Sequence, residues 1–212
     1  MSLYPVNLRM AGRECLVLGG GTVAERKAVD LLAVGASVTV LSPRISPCLI
    51  NLAAASRLTY LPGVYQPGAI GNYFIVICAT DSSEVNREAA IEAKGKGALV
   101  NVVDAPELCD FTVPSHFTRG DLLITVSTGG SSPALAKRLR EKLEETFGTE
   151  YGVYLDIVSR IRSEMKKNLA TADARGDFWR EALTDEVLAL LKAGKIDEAE
   201  EKIRNAARSV RA

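Results

Sequence analysis

The sequence predicts an α/β protein: a parallel sheet with crossover helices over residues 1–113, a small α+β segment over 114–147, and a helical domain over 148–212. Three observations support it. Apolar, β-rich runs alternate with helix-period stretches through the first half, the order that a parallel sheet with right-handed crossovers requires. The run 15–18 (CLVL) enters three consecutive glycines, Gly19, Gly20 and Gly21, and a helix-forming stretch follows at once. Beyond Glu150 no strand signal remains.

The elements follow in order. Residues 15–18 are the first strand, and the helix 22–32 after it is ended by Gly35. Residues 36–41 read as the second strand, 45–56 as a helix and 58–61 as the third strand. The run 74–79 (FIVICA) is continuously apolar, as expected of a strand covered on both faces. Asp81 or Ser82 caps a helix over 83–94; an Asp before a helix is usually such a cap. Residues 98–103 make the fifth strand. After Pro114 the pattern changes to a strand at 122–126, a polar glycine-rich loop at 127–133 and a charged helix at 134–147. Helical spacing returns at 153–169, 177–191 and 197–210, with the polar stretch 171–176 joining the first two. A tail of this size needs to pack on the rest or on another chain to be stable.

Gly19, Gly21 and Ala24 match the G-x-G-x-x-A spacing of a Rossmann-type dinucleotide-binding turn. Gly19 serves the tight turn, Gly21 leaves room for a pyrophosphate, and Ala24 lets helix and strand pack closely. With Gly20, Thr22 and Val23 they bring the free N–H groups of a helix start to the phosphates. A tight turn without a ligand is the alternative. The second strand ends in Leu41, Ser42, Pro43 and Arg44, with no acid for the adenosine ribose. Arg44 suits the 2′-phosphate of NADP; Ser42 or a backbone group suits the ribose of NAD. Thr80 and Asp81 follow the fourth strand and Asp104 the fifth, at the strand ends where open α/β sheets bind ligands. The Asp104 carboxylate is placed to act as a general base, or to stabilise its own turn.

Bulk properties narrow the class. Lys plus Arg and Asp plus Glu are both 26, so the net charge is zero, which argues against a general nucleic-acid binder. Cys15, Cys48, Cys78 and Cys109 are scattered without a C-x-x-C pair and read as reduced, mostly structural thiols. No metal site is expected, because His116 is the sole histidine. No signal peptide precedes Leu3 and no apolar run nears the ~20 residues that span a membrane. A cytoplasmic protein is the expectation.

The segments VLGGGTVAERKA, ATDSSEVN, NVVDAPELCDFTVPS and STGGSSPALAKRLREKLE occur in this order and spacing. Together they resemble the bifunctional precorrin-2 dehydrogenase / sirohydrochlorin ferrochelatase family of sirohaem synthesis, over the first ~150 residues. The resemblance implies NAD-dependent oxidation of precorrin-2 to sirohydrochlorin. It admits a second activity, insertion of Fe²⁺, with iron as a substrate. It implies a homodimer in which the 114–147 segment exchanges contacts between subunits. By the same resemblance, residues 19–23 hold the pyrophosphate, Pro43 and Arg44 lie near the adenosine, and Asp104 matches the catalytic aspartate. Ser127 and Thr128 match the loop lining the tetrapyrrole site.

A carboxylated tetrapyrrole requires cations and N–H donors. Arg119 precedes the strand at 122–126, and Ser127, Thr128, Gly129, Gly130 and Ser131 offer an anion-binding loop before a helix. Lys137, Arg138 and Arg140 read instead as a solvated face paired with Glu141, Glu144 and Glu145. A different class of function also fits the glycine turn: a non-catalytic dinucleotide sensor acting through its helical tail.

Overall fold

The computed structural model describes residues 3–168 and 171–209. The chain divides into two compact units, residues 4–113 and a unit comprising 114–212 with the first three residues.

In the first unit, β1 (Glu14–Leu18), β2 (Ser37–Ser42), β3 (Thr59–Pro62), β4 (Ile75–Cys78) and β5 (Leu99–Val102) form one sheet in the order β3-β2-β1-β4-β5. Every pairing is parallel, with Cys15 opposite both Val38 and Ile75. Helices α1 (Thr22–Ala33), α2 (Pro47–Ala54) and α3 (Ser83–Gly95) connect the strands. The two-residue period of the strands sorts their side chains into two cores. Cys15, Val17, Val38, Val40, Ile75 and Ile77 pack with Ala24 and Ala28 of α1 and Leu49 of α2. Leu16, Leu18, Val76, Cys78, Val100 and Val102 pack on the other face with Ala89, Ala90 and Ala93 of α3. That two-sided burial is why these strands read as unbroken apolar runs.

The helix ends are set locally. Ser46 and Ser82 accept N–H bonds from Leu49 and Val85, capping α2 and α3. The cap of α3 is therefore Ser82 and not Asp81. Gly35 (φ 79) reverses the chain after α1.

The second unit contains a strand that the sequence pattern does not announce. β6 (Ser115–Arg119) pairs antiparallel with β7 (Leu122–Val126), so Arg119 closes β6 at the hairpin. Gly120 (φ 57) takes the first hairpin position, and a Cβ there would lie 3.2 Å from Gly152 Cα. Helix α4 (Pro133–Thr146), capped by Ser132, packs on this hairpin.

Sequence periodicity predicts three tail helices; the described residues contain four, α5 (Glu150–Asn168), α6 (Ala172–Ala182), α7 (Asp185–Lys192) and α8 (Ile196–Ser209). The expected single helix over 177–191 is broken where Thr184 caps α7 by accepting from Val187 N–H at 3.5 Å. Most of the polar stretch 171–176 is itself the start of α6. Leu169 and Val210, the expected ends of two tail helices, lie outside the described residues. Ile157, Ile161, Phe178, Ala182, Val187, Leu191, Ala199 and Ile203 form a separate core among these helices.

Phe178 is fully buried. Phe178→Ala is expected to lower stability by about 3–5 kcal/mol, against about 1 kcal/mol for Ile203→Val, measured by urea unfolding.

Candidate functional site

A cavity of about 590 Å³ opens at the carboxyl ends of β1, β2 and β4. Gly19, Gly20, Gly21 and Thr22 line one side, residues 41–46 with Pro43 and Arg44 a second, and Ala79, Thr80, Asp81 and Ser82 a third. Close backbone approach dictates the first two glycines. At Gly19 (φ 113) a Cβ would lie 2.2 Å from the Ala79 carbonyl oxygen, and at Gly20 2.0 Å from that of Arg44. Gly19 N–H donates to Leu41 O at 3.0 Å and Ser46 N–H to Gly20 O at 2.9 Å, which locks the turn.

Gly21 is different. A Cβ there would meet nothing within 4 Å, so the space belongs to the cavity. As the N-cap of α1, Gly21 supplies no side-chain acceptor, and Glu25 N–H to Gly21 O at 2.9 Å is an early intrahelical bond. The N–H groups of Thr22, Val23 and Ala24 precede it and have no acceptor within the helix. Uncapped donors at the positive end of α1 fit the oxygens of a pyrophosphate. The Val23 side chain itself is exposed and does not line the cavity.

The β2 and β4 sides of the cavity differ in what they leave available. Ser42 is 6% exposed and its hydroxyl donates to Arg44 O at 2.7 Å, so it holds the loop and is engaged away from a ribose. The Arg44 side chain is exposed at the cavity. On the β4 side, buried Asn86 organises the turn: its Oδ1 accepts from Thr80 N–H at 3.1 Å and Thr80 hydroxyl at 2.7 Å, and its Nδ2 donates to Thr80 O at 3.0 Å. With Ser82 acting as the cap, the exposed Asp81 carboxylate is bonded by none of the described residues.

Asp104 lies one strand over, after β5, and does not line this cavity. Its side chain is exposed and its backbone is left-handed (φ 59), an uncommon state that Asp tolerates better than most residues. The turn is tied down by Cys109, whose thiol accepts from Val102 N–H at 3.1 Å and donates toward the Val102 and Ala105 carbonyls at 3.3 and 3.4 Å. Asp110 N–H donates to Val100 O, and Val100 N–H to the Asp110 carboxylate, both at 2.9 Å. Cys109 is thus a structural thiol. Burial pushes the Cys15 and Cys78 thiols up to about 11 and about 12, so neither is a nucleophile at neutral pH.

In the second unit the loop after β7 is largely self-satisfied. Ser127 Oγ accepts from Gly129 N–H at 3.2 Å, Thr128 Oγ1 from Ser132 N–H at 3.1 Å, and Thr128 O from Ser131 N–H at 3.0 Å. The loop carries the hydroxyls of Ser127, Thr128 and Ser131 around the left-handed Gly129 and Gly130. Arg119 is directed to the other end of α4. Its guanidinium donates to Phe147 O at 3.2 Å and Glu144 O at 3.3 Å, and lies over the Phe117 ring at 5.1 Å. The structure therefore does not bring Arg119 together with the 127–131 loop. Lys137 and Arg140 pair with Glu141 and Glu144 on a charged face, as their spacing predicts. His116 is exposed, with Nδ1 3.1 Å from Pro114 O. No group of three metal-ligating side chains occurs among the described residues, and no helix among them is long and apolar enough to cross a membrane.

Comparison with known proteins covers both units. Residues 6–115 match the family described as "Putative NAD(P)-binding", 119–146 the sirohaem biosynthesis protein central family, and 150–206 the sirohaem synthase dimerisation region. The chain belongs to the precorrin-2 dehydrogenase / sirohydrochlorin ferrochelatase family. Siroheme synthase of Methylobacillus flagellatus is 41% identical over 85% of this chain and 39% of its own length. That of Thioalkalivibrio sulfidiphilus is 37% identical over 97% of this chain and 42% of its own. The chain thus spans about two fifths of the curated relatives it matches. A solved structure titled "SirC, precorrin-2 dehydrogenase" superimposes with a TM-score of 0.78 at 27% identity, covering 96% of this chain and all of that one.

Within this family member, the dimerisation description falls on 150–206, beyond the 114–147 stretch to which the resemblance attached subunit contacts. Sequence reasoning missed Asn86, and it placed Gly20 at the phosphates without the close approach of the Arg44 carbonyl that requires a glycine there. Asn86 carried no signal beyond being a polar residue on an otherwise ordinary helix.

The two glycines make a clean pair for experiment. Gly20→Ala should cost about 1–3 kcal/mol by overpacking, read as a lowered Tm. Gly21→Asp should keep the wild-type Tm, since the site is open and Asp is a good N-cap, yet abolish NADH binding by fluorescence titration.

Proposed function

We propose that this chain oxidises precorrin-2 to sirohydrochlorin with NAD as the oxidant, as a cytoplasmic homodimer, in a three-part chain divided near 113 and 147. The observation that carries the proposal is the uncapped start of α1 at the cavity, in a chain that over 96% of its length resembles a precorrin-2 dehydrogenase. When bound, NAD supplies a hydride acceptor.

The chain's own residues do the rest. The N–H groups opening α1 hold the pyrophosphate beside Gly21, while Pro43 and Arg44 flank the adenosine. Thr80, kept in place by Asn86, and its neighbour Asp81 stand at the other side of the cleft. Loss of hydride from the tetrapyrrole leaves a proton to be removed, and the exposed Asp104 carboxylate at the sheet's carboxyl edge is the base we assign. Ser127, Thr128 and Ser131, on the turn shaped by Gly129 and Gly130, donate hydroxyl protons to the substrate's carboxylates. Arg119 we assign to holding the end of α4. Iron insertion, where it occurs, uses the macrocycle's own nitrogens as ligands, with Asp104 again taking the pyrrole protons and Fe²⁺ as substrate.

Anaerobic incubation with precorrin-2 and NAD should yield sirohydrochlorin and NADH by absorbance, and Fe²⁺ added to the same sample tests chelation. A folded protein that binds NADH but converts no precorrin-2 would point instead to a dinucleotide sensor. Asp104→Ala should leave NADH affinity unchanged while cutting turnover ~100-fold or more; full activity would remove Asp104 from the mechanism.

A further inference from the structure

The connection from β3 to β4 returns across the sheet without a helix. Residues 63–74 lead from the edge strand past β2 and β1 to β4, with a turn at Pro67 and Gly68. Parallel crossovers usually contain a helix that satisfies its own backbone groups. These amides must find acceptors elsewhere.

Backbone carbonyls serve Gly63, Ala69, Tyr73 and Phe74, and one side chain serves Gly68 and Ile70. Glu92 of α3 has a side chain 15% exposed, and both its oxygens are engaged. Oε2 accepts from the Tyr65 hydroxyl at 2.7 Å and Gly68 N–H at 2.9 Å; Oε1 accepts from Ile70 N–H at 3.0 Å and Lys96 Nζ at 3.1 Å. Lys96 Nζ donates also to Ile70 O. Ile70 is 1% exposed in the core beneath α3, so an apolar plug and a charge-assisted clamp meet at one point. Glu88 and Lys96 are the other charged groups beside the clamp. Burial alone would raise the Glu92 carboxyl, but the bonds from Tyr65, Gly68, Lys96 and Ile70 outweigh it and hold it at about 2, against 4.5 when free. The clamp is thus complete above about pH 4.5 and released only as pH falls toward about 2.

The clamped connection is also a wall of the dinucleotide cleft. Gly63, Val64 and Tyr65 line it beside Leu41 and Ser42, and Gly63 N–H donates to Ser42 O at 3.2 Å. We infer that Glu92 is a positioning residue for the dinucleotide, fixing the 63–65 wall on the adenosine side of the cleft through Tyr65, Gly68 and Ile70. It touches neither cofactor nor substrate. The inference rests on the dinucleotide reading of the cleft.

Glutamine keeps the shape of Glu92 but presents an NH₂ donor to other donors, so Glu92→Gln breaks part of the clamp. In the full chain it should weaken NADH binding ~10-fold, the scale of one lost charge-assisted bond, and raise KM for NAD with kcat near wild type. Amide exchange should quicken at Gly68 and Ile70 and stay slow in β1, β4 and β5. Tyr65→Phe removes a single bond and should give the same pattern with a smaller, ~3-fold loss; it carries the test if Glu92→Gln does not fold. Fast exchange at Gly68 and Ile70 with unchanged NADH affinity would overturn the positioning role, and unchanged exchange would overturn the clamp. Wild-type protein that fails to bind NADH would instead overturn the dinucleotide reading, and the inference with it.

Discussion

Two places where backbone meets backbone govern the first unit: Gly19 against Ala79, and Gly20 against Arg44. The carboxyl ends of β4 and β2 approach the end of β1 so closely that no side chain fits between them. That approach aims the turn at the start of α1 and leaves the third glycine as the only one whose missing side chain opens on the cavity. Gly19 and Gly20 serve the fold, and Gly21 keeps space open in the cavity. A motif usually treated as one unit thus divides into two physical tasks, with different consequences for substitution.

The uncapped start of α1 follows from the same arrangement. α2, α3, α4 and α7 each begin at a Ser or Thr that accepts an N–H bond, whereas α1 begins at Gly21. Its donors are satisfied only by water or by an anion. A cofactor with a pyrophosphate completes the helix as a cap would, so binding it is coupled to the stability of the sheet's central crossover.

The parallel sheet was legible because its signals are local. Strands buried on both faces leave long apolar runs, and the predicted ends of β1 to β5 differ from the structure by at most one residue, within the ordinary uncertainty of element boundaries. Features that depend on a distant partner were not legible. Ser42 looked available for a ribose until its bond to Arg44 O was seen. Asp81 looked like a helix cap, a task its neighbour Ser82 performs. Arg119 looked like a substrate cation, but the carbonyls ending α4 claim it. β6 is a short strand beside Pro114, too weakly patterned to register. The break before α7 did carry a signal, Thr184 followed by Asp185 and Glu186, which is a helix start inside an apparently continuous helical period.

The helix-free connection to β4 has a bearing on the order in which the molecule assembles. The Glu92 carboxylate lies 22 to 27 residues beyond the three groups of the connection that it binds. Those groups gain their acceptor only after β4 has been laid down and α3 has docked on it. The strands β1 and β2, joined by a short local crossover, can form their ladder without that step. The 63–65 wall of the cleft therefore depends on residues far along the chain, whereas the glycine turn is contained within the first thirty residues.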